Sequence, residues 1–141
     1  MKKFIKDNGV FIAWVVSIFS LTGSLFFSEI LKLPPCILCW YQRILMYPLV
    51  LIIGVGIVRK DKGLPLYVLP FSILGSAVAL FHYLLQRGII PDSVAPCTQG
   101  ISCTSKLIEY YGFITIPFMS LVSFVIISLC MIILLRSKST Q

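Results

Sequence analysis

The chain has 141 residues, of which 58% are hydrophobic and only 12% charged, and its mean hydropathy is +0.99. A soluble fold of this size has too much surface per volume to hide that much apolar area, and disordered chains are poor in such residues. A soluble domain and a disordered chain are therefore excluded, and an integral membrane protein remains.

Four stretches without charge follow in order. Val10 to Ser28 is closed by Glu29. Ile44 to Val58 is shorter and extends upstream through Trp40 if Arg43 is tolerated near its end. Leu64 to Gln86 follows, with His82 counted neutral, and then Tyr110 to Leu135. A spanning helix needs ~20 apolar residues, and these runs do not alternate as barrel strands do. The expected fold is all-α: one four-transmembrane-helix bundle over residues 1–141, with helices near 10–30, 39–58, 66–86 and 114–135. The first run begins with lysines, like a secretory signal. It is longer than a signal's apolar core, and Leu25-Phe26-Phe27 is a poor cleavage context, so an uncleaved helix is expected.

Basic residues set the expected orientation. Lys2, Lys3, Lys6, Arg59, Lys60, Lys62, Arg136 and Lys138 fall on one side, and Lys32, Arg87, Lys106 and Arg43 on the other. The positive-inside rule puts both termini in the cytoplasm. This asymmetry accounts for most of the net charge of +7, so no nucleic-acid partner is needed. Tyr67 is expected at the inner interface, and Trp40, Tyr41, Tyr110 and Tyr111 at the outer one.

Four of the five cysteines fall in the two outer loops: Cys36 and Cys39 in the first, Cys97 and Cys103 in the second. That face is the compartment where disulfides persist, so two dithiol/disulfide pairs are expected on one side of the membrane. Pro34 and Pro35 precede the first pair, and proline readily opens a helix. A first turn beginning there brings Cys36 and Cys39 to one face and puts Cys39 near the positive end of the helix dipole. Arg43 lies one turn below Cys39. An arginine at that depth needs a partner, a polar cavity or a ligand, and beside a thiol it favours the thiolate. A zinc site is the competing use of these cysteines. An oxidising compartment favours disulfides over it, so no metal is expected. Trp40 after the motif, where haem attachment needs histidine, excludes that reading. Cys130 sits among Leu129 and Met131 as a small hydrophobe. His82, inside the third helix, is either a site residue or a satisfied interhelical histidine.

The run Cys36-Ile37-Leu38-Cys39-Trp40-Tyr41-Gln42-Arg43 resembles the hallmark of the DsbB family, the quinone-linked disulfide generators of bacteria. Cys97 and Cys103, with five residues between them, resemble the close second pair of the family's Bacillus-type branch, often called BdbC. Ile114-Thr115-Ile116-Pro117-Phe118, opening the fourth helix, is similar to that branch too. The resemblance implies a membrane thiol:quinone oxidoreductase of the bacterial cell (inner or plasma) membrane, with its redox cysteines on the extracytoplasmic side. A thioredoxin-like thiol oxidase of the DsbA type would deliver electrons to Cys97–Cys103. Cys36–Cys39 would pass them to a quinone of the membrane pool, menaquinone or ubiquinone, with Cys39 as donor. Arg43 is implied to hold a quinone oxygen, and His82 is a further candidate for that site. Two other classes compete with this reading. A membrane thiol oxidoreductase like vitamin-K-epoxide reductase carries its Cys-x-x-Cys towards its last helix. A non-enzymatic four-helix protein would use both pairs as staples, and would show no quinone reduction with both disulfides intact.

Overall fold

The computed structural model describes residues 2–97, 102–104, 109–110 and 114–139. Lys106 and Tyr111, expected above on the outer side, lie outside the described residues. Four helices, α1 (Lys2–Leu25), α2 (Ile37–Arg59), α3 (Leu64–Gln86) and α4 (Ile116–Ser139), form the body. Four helical stretches are long and apolar enough to cross a membrane: Asn8–Ile30, which runs past the end of α1, Ile37–Arg59, Leu64–Gln86 and Ile116–Ser137. In lipid the backbone must satisfy its own hydrogen bonds, which is why such segments are helices.

The helices pack in a ring, α1 on α2, α2 on α3, α3 on α4 and α4 back on α1. Consecutive helices run antiparallel, so the α1–α2 and α3–α4 connections meet at one end. Lipid offers no hydrophobic drive between helices, so close packing has to hold them. Gly75 of α3 is the clearest case, because a Cβ there would overlap the Phe124 ring of α4. Gly54 of α2 lets the Trp14 indole of α1 approach, and Trp14 Nε1 donates to the Val50 carbonyl at 3.1 Å. Phe124, Leu49, Ile53 and Met131 are fully buried, while Phe19, Leu51 and Val58 are 74%, 72% and 83% exposed and form the lipid-facing surface.

Local chemistry sets the helix ends. Pro34 and Pro35 keep the chain extended, and Cys36 caps α2 with its Sγ accepting from the Cys39 amide at 3.4 Å. The helix therefore begins at Ile37, upstream of the expected 39, and Cys36 rather than Cys39 holds the capping position. Lys60, in the left-handed region at φ 50°, closes α2, and Pro65 opens α3. At the other end α1 widens into a π turn over Phe26–Ile30, stepping into the chain that leads to the cysteines. Ile114–Thr115 pair with Glu109–Tyr110 as a short antiparallel ribbon, so α4 begins only at Ile116.

Candidate functional site

The site lies at the end of the bundle where the two cysteine-bearing connections meet. Cys36 and Cys39 are free thiols with their Sγ atoms 3.1 Å apart. Cys97 and Cys103 are joined in a disulfide, their Cα atoms 5.8 Å apart. Cys36, Leu38, Leu85 and Cys103 share one buried cluster, with Cys39 and Cys97 packed against it. The second pair is thus folded onto the first, Cys103 inward and Cys97 half-buried.

His82 stands at the centre of this contact. It is 1% exposed, and its Nε2 lies 3.6 Å from Cys36 Sγ and 3.2 Å from the Cys103 carbonyl. Its other ring nitrogen, Nδ1, is 3.0 Å from the Gln42 side-chain amide. Gln42 is buried too. Gln42 is not among the residues singled out above, although a glutamine one turn past Cys39 in an apolar helix needs a buried partner. Cys36 holds its proton weakly: its pKa is pushed from 9.0 to about 4, first by the hydrogen bond from the Cys39 thiol. Burial opposes this, and His82 and the Cys39 amide assist. The expectation put the favoured thiolate on Cys39; the hydrogen bond that the Cys39 thiol gives to Cys36 is the main reason that it falls on Cys36 instead.

On the opposite side of Cys39 a cavity of about 400 Å³ opens between α1, α2 and α4. Cys39, Gln42, Arg43 and Tyr47 line it from α2 and Ser20 and Ser24 from α1. Met119 and Ser123 line it from α4, and Leu33 to Pro35 close one side. Arg43 Nη2 donates to the Ser24 carbonyl at 3.0 Å, and the guanidinium lies 5.5 Å from the centre of the Trp40 ring. Both contacts aim a half-buried cation at the cavity, with no acidic partner among the described residues. The Tyr47 hydroxyl is buried and has no hydrogen-bond partner among the described residues. His82 does not appear among the described residues lining the cavity; it stands beside the thiols instead. A site of this volume, mostly apolar with a few polar groups, is of the kind that takes a small organic ligand.

Four spanning helices with a dithiol and a disulfide in contact at one end define a membrane thiol–disulfide oxidoreductase. A family model described as "Disulfide bond formation protein DsbB" matches residues 6–134, and the chain belongs to the DsbB family, whose members generate disulfides. It is 46% identical over 136 residues to "Disulfide bond formation protein C" of Bacillus subtilis (strain 168), covering 95% of this chain and 99% of that one. It is 40% identical over 133 residues to "Probable disulfide formation protein C 1" of Bacillus anthracis, covering 94% and 96%. "Probable disulfide formation protein" of Oceanobacillus iheyensis is 43% identical over 144 residues, covering 100% and 99%. No solved structure matches the chain significantly.

Proposed function

We propose that the protein reoxidises a thioredoxin-like thiol oxidase of the DsbA type outside the cytoplasm and passes the electrons to a membrane quinone. Quinone dependence is general in the family. The observation that carries the reading is the continuous arrangement from the half-buried Cys97, through Cys103 against Cys36, to Cys39 on the cavity.

The cavity residues fit a quinone. Arg43 brings a positive charge, and Tyr47 brings a buried hydroxyl that has no partner among the described residues. The two are four residues apart on α2, a rise of about 6 Å along one face, which suits oxygens at opposite edges of one ring. A quinone bound there supplies a two-electron acceptor whose oxygens take up negative charge and then protons.

The protein's own part is thiol–disulfide exchange. The partner's thiolate attacks Cys97, the more accessible sulfur, and Cys103 leaves as thiolate. The partner's second thiol then releases Cys97 and departs as a disulfide. With Cys36–Cys39 oxidised, the Cys103 thiolate attacks Cys36, and Cys39 leaves as a thiolate on the cavity side. Cys97 then displaces Cys103 from Cys36, so the second pair is again a disulfide and the first a dithiol. That is the state of both pairs in the structure. Two electrons have moved from the partner to Cys36 and Cys39. Arg43 lies one turn from Cys39 and favours negative charge at the sulfur and at the ligand edge. His82, held by Gln42, fixes Cys36 against Cys103.

The charge asymmetry supports the side: with both termini cytoplasmic, both pairs face outward, where secreted proteins acquire disulfides. The test is quinone reduction by the purified protein with a reduced thioredoxin-like oxidase, followed as loss of quinone absorbance. Turnover is expected, and Cys39→Ser is expected to abolish it. Absence of turnover with both menaquinone and ubiquinone analogues, or full turnover by Cys39→Ser, would refute the reading.

A further inference from the structure

The cysteine pair has a third soft donor beside it that the redox reading does not use as a ligand. Cys36 Sγ, Cys39 Sγ and His82 Nε2 or Nδ1 all lie within 4.8 Å of one another. Cys36 and His82 are buried, and Cys39 borders the cavity, which provides a way in. We infer that in the reduced protein these three side chains form a binding site for a soft divalent cation of the zinc class.

The geometry is close to what such an ion needs. Tetrahedral zinc with Zn–S of about 2.3 Å and Zn–N of about 2.0–2.1 Å sets neighbouring donors ~3.6 Å apart for S and N and ~3.8 Å apart for two sulfurs. Cys36 Sγ and His82 Nε2 are 3.6 Å apart. The two sulfurs, 3.1 Å apart, need to spread by about 0.7 Å to reach the tetrahedral spacing, which a rotation of Cys39 towards the cavity supplies. The outer support is also present. A zinc-ligating histidine keeps its second ring nitrogen in a hydrogen bond that fixes the ring, and Gln42 sits 3.0 Å from Nδ1. With the Gln42 amide turned so that its carbonyl accepts from Nδ1–H, the Nε2 lone pair is free for the ion, and Nε2 exchanges its hydrogen bond to the Cys103 carbonyl for the metal. Three protein donors leave the fourth position to water.

Charge and redox state select when the site exists. Both cysteines bind as thiolates, so two thiolates and one dication leave the buried spot neutral. No electron moves. The disulfide form has no thiolates and no site. The cation therefore captures the protein between turnovers, when Cys36 and Cys39 hold electrons, and competes with their delivery to the cavity. A chelator restores the free dithiol.

The test reads metal binding and needs no turnover, so its failure is distinct from failure of the proposed electron path. The full chain carrying Cys97→Ser and Cys103→Ser, which removes the other pair, is reduced and titrated with Cd²⁺ alone, following thiolate-to-metal absorbance. One equivalent is expected to bind with the intensity of two thiolates, and none is expected after the same protein is oxidised. His82→Gln in that background is expected to weaken binding at least tenfold. Zinc-edge X-ray absorption of the same reduced protein loaded with Zn²⁺, which needs no histidine variant, is expected to show two sulfurs and the outer-shell carbons of one imidazole. Equal binding by reduced and oxidised protein, unchanged affinity in a folded His82→Gln protein, or a zinc spectrum without imidazole scattering would overturn the inference.

Discussion

Arg43→Met tests the cavity most sharply, because it removes a charge while keeping a long side chain. The guanidinium has five N–H donors, and one is committed to the Ser24 carbonyl at 3.0 Å. The rest remain for an oxygen in the cavity that Arg43 lines. A hydrogen bond to a charged group contributes about 1.5–3 kcal/mol. At 1.4 kcal/mol per tenfold, losing it raises the KM for quinone by about 10- to 150-fold. Arg43→Lys keeps the charge but loses the fork that reaches Ser24 and the cavity together, so its KM should fall between the two. The assay is quinone reduction at saturating reduced partner with a short-tailed quinone, beside the rate at which the partner reduces Cys97–Cys103. That first exchange should be unchanged, since Arg43 touches neither Cys97 nor Cys103 in the structure. A KM for Arg43→Met within twofold of the parent would refute the placement of quinone in this cavity.

Three further outcomes are expected. Tyr47→Phe should leave the fold intact and raise the quinone KM by about 2- to 10-fold, the worth of one neutral hydrogen bond; an unchanged KM would mean that the Tyr47 hydroxyl holds nothing. Gly75→Ala pushes a methyl into the Phe124 ring. It should cost about 1–3 kcal/mol, read as an earlier unfolding midpoint in denaturing detergent, and an unshifted midpoint would refute the tight α3–α4 contact. The reduced Cys36–Cys39 pair should carry one thiolate well below the range of a free thiol, because Cys36 is lowered from 9.0 to about 4. The sign is that of a depressed acid: the ionised form persists as pH falls from about 9 and is lost only near 4. Ultraviolet thiolate absorbance in a protein lacking the other three cysteines checks this, and a single transition near pH 9 would contradict it.

The four helices were legible because lipid demands long apolar runs and the chain has four. The second was the hardest to delimit. Its second turn carries Gln42 and Arg43, which interrupt the apolar run, yet these residues turn inward to His82 and to the cavity rather than to lipid. The cysteine pairs were legible from spacing, and Arg43 from its place one turn below Cys39. The partner of His82 was not, since Gln42 and Cys103 lie on other segments, and which way a helix face turns depends on packing. Gly75 under Phe124 and Gly54 under Trp14 help decide that packing, and neither pair leaves a local pattern. The cavity was illegible for the same reason: Ser24, Tyr47 and Ser123 come from three helices and share no motif. Helix α4 starts at Ile116 because the two residues before it pair as a strand, a choice that an apolar count does not register.

The central claim is that electrons cross from the second pair to the first by direct contact of Cys103 with Cys36. The most direct measurement removes the outer and cavity-side sulfurs together, in Cys39→Ser with Cys97→Ser, and exposes the purified protein to a mild oxidant. The account predicts a Cys36–Cys103 disulfide in nearly every chain, read by mass spectrometry after alkylation and proteolysis. Cys36 and Cys103 both still free and alkylated in the folded protein would contradict it.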